Sequence, residues 1–238
     1  MTDVAGRAVV EPDPDTMAHD AAEWLVERIA AAPARFRLAL SGGSTPRLLY
    51  RLLTTAFRQR IDWSRLELFW GDERCVPHDH PDSNYRMARE ELLARVDIPP
   101  AQIHPIPTDG DPDDCARRYE AVLKSVYGAG SFDPARPLFD VMLLGLGGDG
   151  HTASLIPGQP VLDERSRWVA PVMKGRDEPR ITLTYPAIES SRAVVFLVTG
   201  ADKHDAVSRT REGDQALPAA RLQPQGETLW FLDSAAAG

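Results

Sequence analysis

The sequence predicts an α/β fold: a mostly parallel, Rossmann-like sheet with helices on both faces, built as a single domain over residues 1–238. Three observations carry this expectation. Runs of strand length alternate with amphipathic helical stretches for most of the chain, which is the pattern of a parallel sheet covered on both faces. An apolar run at 141–144 drives straight into a glycine-dense turn, Gly145 to Gly150, as at the carboxyl end of a buried strand where open α/β sheets bind ligands. Finally, the length suits one large α/β domain or two small ones, and the densest Pro/Gly/Asp stretches, 105–112 and 128–137, are too short to force a boundary.

Each element has a local reason. Residues 16–32 form an amphipathic helix, with Met17, Ala21, Trp24, Leu25 and Ile29 at helical spacing and Pro33 as its stop. Residues 35–40 form a strand that feeds SGGSTP, and 46–57 are helical, with Pro46 at an early helical position. Leu66–Trp70 is a second strand, followed by GDER. Residues 84–95 have helix-forming composition, and 103–106 make a short strand. The helix at 113–127 places Cys115, Tyr119, Val122, Leu123 and Val126 on one face and ends at Gly128 and Gly130. Further strands are expected at 141–144, 168–172, 181–184, 193–199 and 228–232, with a helix at 203–212.

Bulk properties narrow the class of partner. A formal net charge of −8 argues against nucleic acid or an anionic membrane as partner. Local groups can still bind an anionic metabolite. Cys75 and Cys115 form neither a disulfide framework nor a metal spacing, and read as reduced thiols of a cytoplasmic protein. The first residues lack a basic region followed by an apolar run, and no apolar stretch reaches the roughly 18 residues needed to span a membrane.

Four segments could share one site. SGGSTP places Ser41, Gly42, Gly43, Ser44 and Thr45 ahead of a helix N-terminus. The segment reads either as a phosphate cradle or as a simple cap. It lacks the lysine and spacing of a Walker loop. GDER puts Asp72, Glu73 and Arg74 where a strand meets a loop; this is either a solvated charge cluster or a place where Arg74 forks onto a phosphate and Asp72 holds a hydroxyl or orients a base. The glycine turn ends on His151, with Asp149 two residues before it, and a histidine there is suited to moving a proton near neutral pH. Gly145, Gly147 and Gly150 formally spell G-x-G-x-x-G, but Pro157 and Gly158 interrupt any long helix, and 168–172 offers no acid at its carboxyl end, so a dinucleotide site is disfavoured. Lastly, Arg180 and Lys203 are either surface cations or a pair that neutralises a phosphate. The His78-Asp79-His80 triplet reads as a solvated loop rather than a metal site, and no G-x-S-x-G elbow supports a serine nucleophile.

Taken in order, SGGSTP, WGDER with SNYRMARE, LLGLGGDGHTASLIPG and RITLT…VTG..K resemble the 6-phosphogluconolactonase family, related to the glucosamine-6-phosphate deaminases, from about residue 37 to residue 232. The resemblance implies hydrolysis of 6-phosphoglucono-δ-lactone to 6-phosphogluconate in the oxidative pentose phosphate pathway, without metal or organic cofactor. It implies His151 as acid/base, Ser41 to Thr45 as pocket, and Arg74, Arg180 and Lys203 as substrate contacts, with Asp72 and Asp149 as further site members. Deaminases carry a glutamate five residues after this histidine, where the chain has Ile156, so the lactonase reading is preferred over deamination. A non-catalytic phosphosugar sensor on the same fold is the other alternative, and the DGH motif argues against it. Neutral His151 would take a proton from water and return it to the ring oxygen, with the turn's amides as oxyanion donors. Asp149 would either orient His151 or cap the turn. A monomer is favoured as the oligomeric state.

Overall fold

A computed structural model describes residues 4–238. In chain order the elements are β1 (Arg7–Glu11), α1 (Pro14–Ala31), β2 (Phe36–Leu40), α2 (Ser44–Thr54), β3 (Leu66–Trp70), β4 (Asp72–Arg74), α3 (Asn84–Glu91), β5 (Ile103–His104), α4 (Pro112–Tyr127), β6 (Phe139–Leu144), β7 (Val169–Val172), β8 (Arg180–Leu183), α5 (Tyr185–Glu189), β9 (Ser191–Val198), α6 (His204–Arg211), β10 (Glu227–Asp233) and α7 (Ser234–Ala237). Helix starts follow their caps. Asp13 accepts from Thr16 N ahead of Pro14, and Asp111 accepts from Asp113 N and Asp114 N ahead of Pro112. Gly128 then ends α4 in the left-handed region, at φ 77°.

Seven strands form one parallel sheet in the order β1-β10-β9-β6-β2-β3-β5. The inner strands are apolar because both faces are covered, and Leu38, Leu68, Met142, Leu144 and Phe196 are all buried. From β2 the chain moves outward through β3 and β5, then returns to β6 on the other side of β2. Right-handed crossovers therefore put α1, α2 and α3 on one face and α4, α5 and α6 on the other. The switch between β2 and β6 opens a cleft at their carboxyl ends.

The expected parallel sheet and its helical layers are present, with four differences. The segments at 168–172 and 181–184 do not join it. They form β7 and β8 of a separate antiparallel sheet, ordered β4-β8-β7. Pro171 lies in β7, an edge strand, where its missing N–H costs least. GDER is not a loop: Asp72–Arg74 is β4 itself. The helix from 84 stops at Glu91 and tightens into a 3₁₀ turn, Leu93–Arg95, and the strand at 103 is only two residues long. Residues 7–11 add an edge strand that the sequence pattern did not reveal; Val10 is exposed there, so no continuous apolar run marks it.

Gly71 joins the two sheets. Its N–H donates to Leu40 O at 2.9 Å and its carbonyl accepts from Leu183 N at 2.8 Å. A Cβ here would lie 2.5 Å from Met142 Cε, so a larger residue would have to push the methionine tip aside. Two buried tyrosines hold the neighbouring strand ends. The Tyr50 hydroxyl accepts from Ser41 N at 3.0 Å and donates to Ser41 O at 2.8 Å; the Tyr119 hydroxyl does the same at Trp70, at 2.9 and 3.1 Å. Burial pushes both phenols well above their ordinary range, so they remain neutral donors. Cys75 and Cys115 are free thiols, and burial pushes the Cys75 thiol up to about 11. No described helix is long and apolar enough to cross a membrane.

Glu73, the second acid of GDER, is buried rather than solvated. Its carboxylate accepts from Arg74 N and Asn84 N on one oxygen, and from Ser83 Oγ and Tyr85 N on the other. Burial raises its pKa, and the backbone donors pull against that rise. The residue thus ties β4 to the start of α3. Glu73→Gln replaces one acceptor oxygen with a donor facing donors, so unfolding in urea should show a loss of about 2 kcal/mol. A change within ~0.5 kcal/mol, the range of ordinary surface substitutions, would contradict this role.

Candidate active site

The first wall of the cleft follows β2. The chain turns at Ser41-Gly42-Gly43, pinned by Tyr50, and α2 begins at Ser44. A Cβ on Gly42 would fall 1.9 Å from Asn84 Oδ1, so glycine is required for this close approach. Gly43 occupies the cap position at φ 109° and supplies no side-chain bond. The cap is thus a glycine at the end of a glycine turn, and no hydroxyl of SGGSTP caps the helix. Ser44 and Thr45 lie inside the helix, and their first-turn amides have no intrahelical acceptor. Thr45 Oγ1 lies 2.9 Å from Thr199 Oγ1 at the end of β9.

The second wall follows β6. Gly147 N donates to His151 O and Gly150 N donates to Gly147 O, both at 2.9 Å, closing a tight turn; no helix follows it. These two amides are spent on the turn, so they are not the oxyanion donors expected of it. The imidazole packs onto Gly147, where a Cβ would lie 2.0 Å from His151 Nδ1. Asp149 Oδ1 lies 2.5 Å from Nδ1 and also accepts from His151 N at 3.2 Å. One carboxylate thus orients the ring and braces the turn. Arg176, from the segment between β7 and β8, places Nη2 2.7 Å from Asp149 Oδ2 and 2.9 Å from His151 Nδ1. Burial raises the Asp149 carboxyl, but Arg176 and His151 outweigh it and hold the group well below the usual carboxylate range. All of these contacts fall on the Nδ1 edge of the ring.

The third wall is the small sheet. Arg74 and Arg180 face each other across β4 and β8. Like charges directly opposite are unfavourable. Burial and then the Arg74 guanidinium lower the pKa of Arg180. Arg74 Nη1 donates to Asp82 O at 2.6 Å, while the Nε of each arginine is buried without a protein partner. Such a pair of forked donors suits a dianion. Asp72 is buried beside them, accepting from Ser154 Oγ at 2.6 Å and from Asn84 Nδ2 at 3.2 Å. Lys203 stands opposite, 3.0 Å from Asp202.

These walls enclose a cavity of about 270 Å³ that brings together Ser41, Gly42, Gly43, Ser44, Thr45, Asp72, Arg74, His151, Arg180 and Lys203. Asp149 and Arg176 stand behind the imidazole, outside the lining. Sequence reasoning missed Arg176, Asn84 and Ala153. The last lines the cavity at φ 46°, a left-handed conformation strained for a residue with a side chain. Asn84 stood in SNYRMARE as motif, without a role; Arg176 carried no spacing signal. Ile156 is buried and packs beneath Gly175, bringing no carboxylate near the histidine. His78 Nε2 lies 2.8 Å from Ile106 O, and His80 Nδ1 accepts from Asp82 N, so neighbouring backbone engages both rings of that triplet.

Residues 12–230 match the model of the family described as glucosamine-6-phosphate isomerases/6-phosphogluconolactonase. A 6-phosphogluconolactonase of Synechocystis is 49% identical over 84% of this chain and 82% of its own length. One of Mycobacterium tuberculosis is 43% identical over 95% of both chains. The structure of 6-phosphogluconolactonase from Trypanosoma cruzi superposes with a TM-score of 0.86 at 30% identity, covering 99% of this chain and 97% of that one. The chain belongs to the glucosamine-6-phosphate isomerase/6-phosphogluconolactonase family.

Proposed function

We propose that this chain hydrolyses 6-phosphoglucono-δ-lactone to 6-phosphogluconate, the lactonase step of the oxidative pentose phosphate pathway, with His151 as the proton carrier. The observation that carries the reading is one cavity with two devices: a histidine clamped only at Nδ1, and the Arg74–Arg180 pair whose Nε groups are buried and unpartnered. The relatives named above support the substrate. Ile156 favours hydrolysis over deamination, since a buried aliphatic side chain offers no acid for expelling an amine.

We assign the Nδ1 proton to the closer partner, Asp149 Oδ1 at 2.5 Å, which makes the 2.9 Å approach of Arg176 Nη2 a contact of charge rather than a hydrogen bond and leaves the Nε2 lone pair as the base. A water oxygen attacks the lactone carbonyl carbon as Nε2 takes one of its protons. The carbonyl π pair moves onto oxygen. That oxyanion collapses, the bond from carbon to ring oxygen breaks, and Nε2 returns the proton to the ring oxygen. The product is an open-chain acid that ionises in water. Arg74, Arg180 and Lys203, with the open amides of α2, hold the phosphate, whose binding energy serves to position the remote carbonyl. Asp72 acts as a positioning residue, since both of its oxygens are engaged by Asn84 and Ser154.

A coupled assay at pH 7 on freshly generated lactone tests the reading, and hydrolysis above the spontaneous rate is expected. Binding of 6-phosphogluconate without acceleration would favour a sensor instead. His151→Ala should lower kcat by ~10²–10⁴-fold while the protein stays folded. Gly147→Ala should displace the imidazole and lower kcat by about 10²-fold with little change in KM. Arg74→Ala should mainly raise KM; a fall in kcat at constant KM would place Arg74 at the carbonyl instead.

A further inference from the structure

We infer that Arg176 is a positioning residue that keeps the His151 ring in its basic, uncharged form; the inference rests on the reading of His151 as the proton carrier. A carboxylate hydrogen-bonded to an imidazole favours the charged imidazolium. Left alone, Asp149 would both orient His151 and promote its protonation at Nε2, and an imidazolium cannot accept a proton from water. Arg176 separates these two effects. Its Nη2 engages Asp149 Oδ2 at 2.7 Å, drawing carboxylate charge away from the ring, while Oδ1 stays 2.5 Å from Nδ1. The same guanidinium nitrogen lies 2.9 Å from Nδ1, so its positive charge also opposes a second positive charge on the imidazole. Orientation is kept and protonation is opposed.

The arrangement is built in rather than incidental. Arg176 is under one-third exposed and follows Gly175, whose φ is 92°. A Cβ on Gly175 would sit 3.0 Å from Ile156 Cγ2 and 3.1 Å from Gln159 Nε2, so the turn is seated on the residues that follow the histidine loop. Arg176 Nη1 donates back to Gly175 O at 2.7 Å, which fixes the fork. Other charges around His151 come from Asp72, Arg74 and Arg180 on the small sheet and from Asp202 and Lys203 beyond β9. Lys174, Asp177 and Glu178 share the segment of Arg176. None of these makes a hydrogen bond to the ring in the described residues, whereas Arg176 touches both ring and carboxylate.

The test is an NMR titration of the His151 ring in the full-length wild type, Arg176→Gln and Arg176→Lys, with the resonance assigned by its loss in His151→Ala. The acid limb of kcat/KM, corrected for spontaneous hydrolysis, is measured in parallel. In Arg176→Gln both midpoints should move to higher pH by about half a unit or more, and Arg176→Lys should recover most of that shift. A purely structural role would lower the melting temperature or kcat without moving either midpoint, and coincident midpoints in Gln and wild type would overturn the inference. Those coincident midpoints would leave the lactonase reading intact. Full turnover in His151→Ala would sink that reading whatever the titration shows.

Discussion

At Gly71 the main chain belongs to two sheets at once, and the site depends on that junction. The N–H completes the parallel sheet at Leu40, and the carbonyl begins the antiparallel one at Leu183. A strand that simply ended at Trp70 would release GDER into solvent, where two acids and an arginine would be ordinary surface charge. Instead the chain turns onto a second sheet, buries Glu73 and sets Arg74 opposite Arg180. The end of the Met142 side chain fills the space beside this glycine and packs the junction closed.

The cleft follows from topology, and the tyrosines keep it open. Where parallel strands end, backbone groups lose their ladder partners, and leaving them unpaired is costly. Tyr50 and Tyr119 meet that need from the two helical layers, each spending both roles of one hydroxyl on a single residue at a strand end. The first-turn amides of α2 lack intrahelical acceptors, while Gly147 N and Gly150 N of the glycine turn are consumed internally. The two glycine-rich loops thus look alike in sequence and differ in use. One leads into a helix N-terminus; the other uses glycine to let an imidazole lie against the chain.

Much of this was legible in the sequence. Strand Leu66–Trp70 and the four segments that carry the cavity lay in patterns whose physical meaning is local: apolar runs, helix caps and glycine turns. What was not legible depends on partners distant in the chain. Nothing in RITLT or in the segment at 168–172 distinguishes a strand of the main sheet from one of the small sheet, because both alternate only weakly and pairing is decided elsewhere. Glu73 reads as solvated until the amides of α3 close over it. Arg176 lies in a loop with no period at all, and only the folded chain brings it to Asp149.

Asp72 ties these separate pieces into one. Its carboxylate holds Ser154 from the histidine loop and Asn84 from α3, and Asn84 in turn presses against Gly42 of the first wall. Residues 72, 84 and 154 are far apart in the chain but are joined by hydrogen bonds, and residue 42 is held against them by close packing. Sequence drift at these four positions is therefore constrained as a group: a substitution at one alters the space or hydrogen bonding that the other three must fit, so descendants of this chain should exchange them together or not at all.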